Sequence, residues 1–493
     1  MANNGPRPKR GTAAFPVYIT TRKKEVFIDK PVRQIEVADF ASSFLESIRV
    51  SEENPVFDSR HDCNAIIETA SGTLVVGCRG TIIPDSVKKI GRSAFHGCTG
   101  LKRIILPDSV TEIEDLAFWG CSNLAEAVLP VGLAKIDSMA FFCSGLLTMD
   151  IPESVTIIGD HAFYGCVKLC SVTLPTSLRS IGDMAFTDCE SLSSIRIPAS
   201  VKEIGERAFF CSGLRMLTLP RSVQRIKSEA FFGCENLWAV VIPSSMKKIG
   251  PRAFSNCPAL KRIIVSSKND MFDSRDGCNA IVETASNRLI AGCRNTTIPD
   301  TVTEIGQDAF SFCTELTGIV IPRSVKAIGD DAFGSCTSIV SVALPSSVEK
   351  LGRYAFYHCK NLKRVILSRS ISVIREGTFL ECKNLERIVL PAGVIEIGYM
   401  AFLGCTALAR IVFPDSITRI GRDALGQCSS LKVVKLPGNL ANPRDIIHMG
   451  LDSCKCLRRI YVPEERIQTY KKLLPERLQG YVRKYNPIKK NKQ

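Results

Sequence analysis

The chain has 493 residues, 45% hydrophobic and 23% charged, with 64 Lys and Arg against 49 Asp and Glu and a formal net charge of +15. That balance excludes a solvated disordered polymer, and no stretch approaches the roughly 18 apolar residues a helix needs to cross a bilayer. The positive surplus either favours acidic partners or simply keeps a long scaffold soluble.

Residues 1–30 form a basic segment carrying Arg7, Lys9, Arg10, Arg22, Lys23 and Lys24, and at least the first dozen are expected to be disordered. The early charge is not followed by an apolar core, since Ala13–Ile19 is short and broken by Pro16. No secretory leader is therefore expected, which points to the cytoplasm. Val32–Ile35 to Leu45–Ile48 look like a degenerate first coil of the pattern that follows, as a capping repeat would.

That pattern is Ile-Pro-x-Ser-Val-x-x-Ile-Gly-x-x-Ala-Phe-x-x-Cys-x-x-Leu. Its Phe falls at 95, 118, 141, 163, 186, 209, 231 and 254, resumes at 310, 333, 356, 379 and 402, and is replaced by Leu425. The spacing is 23 residues, except for two steps of 22 where Cys143 and Cys211 follow Phe by two residues instead of three. Within one unit, Leu101, Ile104 and Leu106 have the spacing of a short strand with inward side chains, and Pro107 ends it. Val110 and Ile113 make a second apolar pair on the opposite wall, and Ala117 and Phe118 turn inward. One such coil cannot bury both faces, so the reading is a stack of coils around a column of Phe.

The rhythm is interrupted twice. Asp58–Arg60 leads into Cys63–Ala70, and Asp273–Arg275 leads into Cys278–Ala285, 215 residues later, the offset that also separates Phe95 from Phe310. Each reads as a β-hairpin insert, near 57–80 and 272–295. The acids Asp58, Asp62 and Glu68 raise the alternative of a cation site. The second copy has Asp276 and Gly277 in place of His61 and Asp62, which favours an architectural role. The organisation expected is a basic segment 1–30, a first block 31–265, a second block 266–462, and a helical cap with a basic tail over 463–493. In the cap, Ile467, Tyr470, Leu473, Leu474, Leu478 and Tyr481 share one side of a short helix that Pro475 must kink or divide.

The phrases Leu106–Val110 and Ile328–Phe333 resemble the BspA-type leucine-rich repeats of the Treponema pallidum class, over about residues 31–462. The resemblance implies a repeat solenoid: a β-rich curved stack of coils with short 3-10 or helical turns, two β-hairpin inserts and a C-terminal helical cap. It also implies an adhesin-like, non-enzymatic binding protein at a cell surface or secreted. This conflicts with the cytoplasmic location that the missing leader suggests.

Twelve of the 21 Cys lie three residues after the marker Phe or Leu425, where a small buried thiol fits the turn before the strand. They are expected to be reduced and structural; a disulfide ladder between coils is the alternative. The five His are scattered, and no phosphate-binding loop, nucleophile elbow or metalloprotease motif is present, so no enzyme, metal or cofactor is expected.

Strand alternation exposes two columns per coil, on the face that is concave in such repeats. In the first block these are mixed: Arg103 and Ile105, Glu126 and Val128, Thr148 and Asp150, Ser171 and Thr173, Ser194 and Arg196. Late in the second block they become Arg364 and Ile366, Arg387 and Val389, Arg410 and Val412, Val433 and Lys435, then Arg459 and Tyr461. Arginines beside an apolar column make a candidate binding stripe for an acidic protein, because the guanidinium fork grips carboxylates bidentately. The alternative is a merely solvated face. Nucleic acid is the less favoured ligand, since aromatic platforms for bases are absent.

Overall fold

The computed structural model describes residues 24–40 and 45–485, in two compact units divided between Val201 and Lys202. The expected disorder of the first dozen residues, and most of the basic tail, lie outside the described residues.

Both units are built from the same coil. Leu101, Ile104 and Leu106 point inward from the first wall, and Val110 and Ile113 from the second; all five are buried. The first wall carries strands such as Arg103–Ile105, which pairs in parallel with Glu126–Val128 one coil later. The second wall also forms strands, only two residues long but more continuous. In the first unit Lys89–Ile90, Glu112–Ile113, Lys135–Ile136, Ile157–Ile158 and Ser180–Ile181 pair successively in parallel. In the second unit Glu203–Ile204, Arg225–Ile226 and Lys248–Ile249 do the same.

Between the walls, the Phe rings stack face to face as the 23-residue period requires. Phe95, Phe118, Phe141, Phe163 and Phe186 are 5.0–5.5 Å apart in sequence, and the rings from Phe310 to Phe402 are 5.1–5.7 Å apart. The turn that holds each ring is left-handed at two positions, two residues before and two after the Phe. Leu116 has φ 63° and Gly120 φ 71°; Asp331 and Ser335 have φ 53° and 58°. Left-handed backbone costs a non-glycine residue roughly 1–2 kcal/mol. What offsets it is a ladder of main-chain bonds. Ser93, Phe95 and Gly97 N–H donate to the Asp115, Ala117 and Trp119 carbonyls of the next coil at 3.0, 2.8 and 2.7 Å. The same direction, donating forward, repeats in most of the turns.

The cysteines complete the turn. The Cys121 thiol donates to the Phe95 carbonyl at 3.0 Å, Cys336 to Phe310 at 3.0 Å, and Cys382 to Phe356 at 3.0 Å. All 21 cysteines lie among the described residues, and none is in a disulfide.

Both inserts are antiparallel hairpins that join the second wall. Phe57–Asp58, Ala65–Glu68 and Thr73–Gly77 pair in order, and Thr73–Gly77 then runs parallel to Lys89–Ile90. Phe272–Asp273, Ile281–Glu283 and Arg288–Ala291 repeat this, the last running parallel to Glu304–Ile305. The register shift recurs at Ile66/Ile67 and at Ile281/Val282. His61 and Asp276 are chemically unlike, yet both are left-handed at φ 58° and 56°, so the position serves the backbone. Asp58 accepts from Arg60 Nε at 2.6 Å and from the Thr69 hydroxyl at 2.8 Å, and is engaged inside the insert.

At the C-terminus, helix Ile467–Leu473 is separated by Pro475 from a short helix, Glu476–Gln479. Tyr470, Leu474 and Leu478 from this segment are buried in the core. The chain then adds a strand, Val482–Tyr485, parallel to Arg459–Pro463. Lys484 and Tyr485, expected in a loose tail, are thus part of a sheet; a four-residue strand in which only Val482 is buried is too short and too polar to announce itself.

Candidate binding groove

Arg364–Ile366 begins the groove. Val365 points into the core, so Arg364 and Ile366 must face out, and both are exposed. In the ladder Arg364 lies directly opposite Arg387. Arg387–Ile388 is a two-residue strand, which leaves Val389 unpaired and 80% exposed. Arg410–Val412 repeats the pattern, with Ile411 buried and Val412 half-exposed at 37%. Arg410 is opposite Val433, which is opposite Arg459.

A groove of about 940 Å³ runs across Arg364, Ile366, Arg387 and Val389, walled by Leu390, Pro391 and Ala392. A second hollow of about 610 Å³ continues it across Val389, Arg410 and Val412 to Pro414; both share Glu386, Arg387, Val389, Leu390 and Ala392. Glu386 is the one carboxylate in either lining, against Lys363, Arg364, Arg369, Arg387 and Arg410.

Some other coils pair the charges on their strands. In the corresponding first-unit column, Arg103 Nε meets Glu126 at 2.9 Å, and in the column beside it Asp150 accepts from the Thr173 hydroxyl at 2.7 Å. On the opposite wall Lys89 meets Glu112 at 2.7 Å, and Arg419 is paired with Glu396. Among the described residues no side chain forms an ion pair or hydrogen bond with the guanidinium of Arg364, Arg387, Arg410 or Arg459. Like charges directly opposite on adjacent strands are unfavourable, so this column is held open at a cost in stability.

Lys435 does not share that freedom. Its ammonium meets Asp415 at 3.3 Å and lies 4.1 Å from the centre of the Tyr485 ring, while the Tyr485 hydroxyl donates to Asp415 at 2.6 Å. Burial and the adjacent Asp415 carboxylate push the Tyr485 phenol well above its ordinary range. The added strand therefore closes this end. Lys435 and the half-buried Tyr461 lie opposite one another in the ladder, Arg459 stays exposed, and Arg364, Arg387 and Arg410 form the open part.

The arrangement offers contact surface with little reactive chemistry. Burial pushes the Cys98 thiol up to about 11 and Cys359 to about 12, so thiolate is scarce at neutral pH. No group of three or more His, Cys, Asp or Glu among the described residues is placed to hold a metal ion, and no helix among them is long and apolar enough to cross a membrane. Two features escaped the sequence reading. The left-handed position after Phe had a signal, recurrent Gly at 97, 120, 165, 233 and 404; the one before it is masked by Leu116, Met139 and Met184.

None of the curated proteins matches this chain. Among solved structures, it resembles a leucine-rich repeat protein from Eubacterium ventriosum at 20% identity, with 76% of this chain and 89% of that one covered and a TM-score of 0.51, which supports the fold alone. A leucine-rich repeat protein from Bacteroides ovatus matches at 26% identity over 72% of this chain and 88% of that one, TM-score 0.49. A leucine rich cell surface protein from Faecalibacterium prausnitzii matches at 26% over 78% and 85%, TM-score 0.48. The family described as BspA type Leucine rich repeat region matches residues 78–176, 156–275, 290–408 and 372–472, well over half of the sequence. With the 23-residue coil, the stacked Phe column and the parallel walls already in place, this chain belongs to the BspA-type leucine-rich repeat family.

Proposed function

We propose that the chain is a non-enzymatic protein-binding scaffold that holds an acidic, partly apolar segment of a partner along Arg364, Arg387 and Arg410. The observation that carries this is the run of guanidinium groups of Arg364, Arg387 and Arg410, met by no side chain among the described residues, beside the exposed Ile366, Val389 and Val412 and over a continuous groove. An extended segment lying across the strands would meet successive coils at the roughly 4.8 Å strand spacing. Its carboxylates would take the guanidinium forks while its apolar side chains cover the exposed Ile and Val. An adhesin-like role at a cell surface, as the family resemblance implies, and a scaffold inside the cell would both use the groove in this way.

The test is fluorescence anisotropy with a labelled decapeptide of alternating Glu and Val, on the full chain and on Arg364→Glu/Arg387→Glu/Arg410→Glu. The wild type should bind, weaken as salt is raised, and lose binding in the triple variant with its thermal melt retained. Equal binding by the triple variant removes this groove from consideration. Tighter binding of a single-stranded oligonucleotide than of the peptide would move the reading to nucleic acid.

A further inference from the structure

The forward-donating ladder of the Phe turns has one gap inside the second unit. Glu229, Phe231 and Gly233 N–H donate to the carbonyls of Pro251, Ala253 and Ser255 at 3.0, 2.9 and 3.1 Å. The next three donors in line, the N–H groups of Arg252, Phe254 and Asn256, meet no acceptor among the described residues. The insert follows this turn, and only Gly292 takes up the ladder again, donating to Ala309 at 2.7 Å. The carbonyls of Gln307 and Ser311, on either side of Ala309, accept nothing among the described residues. No ring stack joins Phe254 to Phe310 there, although the spine is stacked on both sides of the break.

Between these walls lies a cavity of about 390 Å³, bounded by the 251–257 turn, the end of the insert and the 307–313 turn. A gap of this size does not follow from the insert as such. At the matching junction of the first copy the space is about 10 Å³, bounded by Val37, Phe40 and His96. The second copy has Arg252, Ser255 and Ser311 at the corresponding places, 215 residues on. Ser255 and Ser311 are smaller than Phe40 and His96, and the larger Arg252, drawn to Asp308, does not fill the room they leave.

We infer that this cavity is a second binding site, and that it takes the main chain of a short peptide turn supplied by a partner. The three amides, spaced two residues apart, are the half of a ladder whose other half, in the neighbouring turns, is a row of peptide carbonyls. Gly377, Phe379 and Glu381 N–H, for example, are met by Tyr399, Ala401 and Leu403 at 2.9, 2.9 and 2.7 Å. The opposite wall offers acceptors, at Gln307 and Ser311, which suit the N–H groups of the same ligand. A free anion would also seek three amide donors. Here it would face the buried Asp308 carboxylate, 4% exposed and held by Arg252 Nε at 2.8 Å, which repels it and leaves a peptide carbonyl untouched.

The test uses the full chain and a capped octapeptide identical to residues 397–404, an uncharged copy of a turn that receives such donors. Hydrogen exchange read by mass spectrometry should slow several-fold in the segment 251–257 when the peptide is added at millimolar concentration, and remain unchanged elsewhere. Ala291→Val/Ser311→His, which installs the first copy's residues, should lose that protection. Absence of protection in the wild type overturns the proposal. So does protection by inorganic phosphate where the peptide gives none, which would make the site an anion site. If the double variant folds and is protected as strongly as the wild type, the peptide binds elsewhere and the proposal fails; the wild-type comparison of peptide with phosphate is decisive even if the variant does not fold.

Discussion

The thiol of Cys359 donates a hydrogen bond to the main-chain oxygen of Phe333, one coil earlier, at 3.1 Å. That oxygen already accepts from the Cys336 amide at 3.2 Å, so the thiol fills its second lone pair and ties each turn to the one before. Cys359→Ala should destabilise the chain by about 1–2 kcal/mol in denaturant unfolding, through the lost bond and the small void. Thiol labelling of the native protein at pH 7 should modify the exposed Cys143, Cys170 and Cys456 readily, and the buried column only on unfolding.

Phe333 stacks on Phe310 at 5.1 Å and on Phe356 at 5.3 Å, and is fully buried. Phe333→Ala should cost about 3–5 kcal/mol. Contacts in a solenoid are between neighbours, so hydrogen exchange should quicken in the flanking coils and leave distant ones as they were. Unchanged protection around residues 310–356 would contradict a stacked spine.

Glycine substitutions separate backbone strain from crowding. Gly120 has φ 71°, and an added Cβ would find Gly97 Cα no closer than 3.7 Å; Gly120→Ala should cost about 1 kcal/mol, the left-handed penalty alone. Gly377 has φ 57°, and its Cβ would overlap the Tyr354 ring, whose hydroxyl donates to Glu376 at 2.6 Å. Gly377→Ala should therefore cost clearly more, about 2–4 kcal/mol by the same unfolding measurement.

Burial pushes the Asp331 carboxyl up from 3.8 to about 6; the Asp308 and Asp330 carboxylates push the same way, and the Arg252 guanidinium opposes them. A folded-state value above the unfolded one means that the native form holds a proton the unfolded chain has released. The resulting stability is present below about pH 4 and lost as pH rises through 6. Asp331→Asn, at a left-handed position that Asn tolerates, should raise Tm at pH 7 and give no advantage at pH 4. Because Asp331 is only half-buried, the gain at neutral pH should be about 1 kcal/mol. An advantage that persists undiminished at pH 4 would assign it to another cause.

Much of this architecture is readable in the residues. The period of Phe95, Phe118 and Phe141 is a packing requirement, so it places the spine, the inward Ile104 and the outward Arg364, Arg387 and Arg410. The two hairpins were legible because Cys63–Ala70 and Cys278–Ala285 repeat at the offset of the coils. Lys435 was not. Whether it is free depends on Tyr485, which arrives from a strand fifty residues later. The unpaired amides at Arg252, Phe254 and Asn256 were also invisible, since every residue has an amide and only the fold decides which of them is met.

The one-way ladder makes the two ends of a coil stack chemically different. Carbonyls are left over at its beginning and N–H groups at its end. At the last turn Asp423 and Leu425 donate to the carbonyls of His448 and Met449 at 2.7 and 2.8 Å, and Gln427 N–H is taken by the Ser453 hydroxyl at 2.6 Å. The segment around Asp445–Ser453 is thus a stopper. Without it, the bare donor row of one molecule would match any carbonyl row left open on another, and the stack could grow head to tail into a fibre. A polypeptide that repeats itself this faithfully must also carry the instruction to stop, and here a few irregular residues supply it.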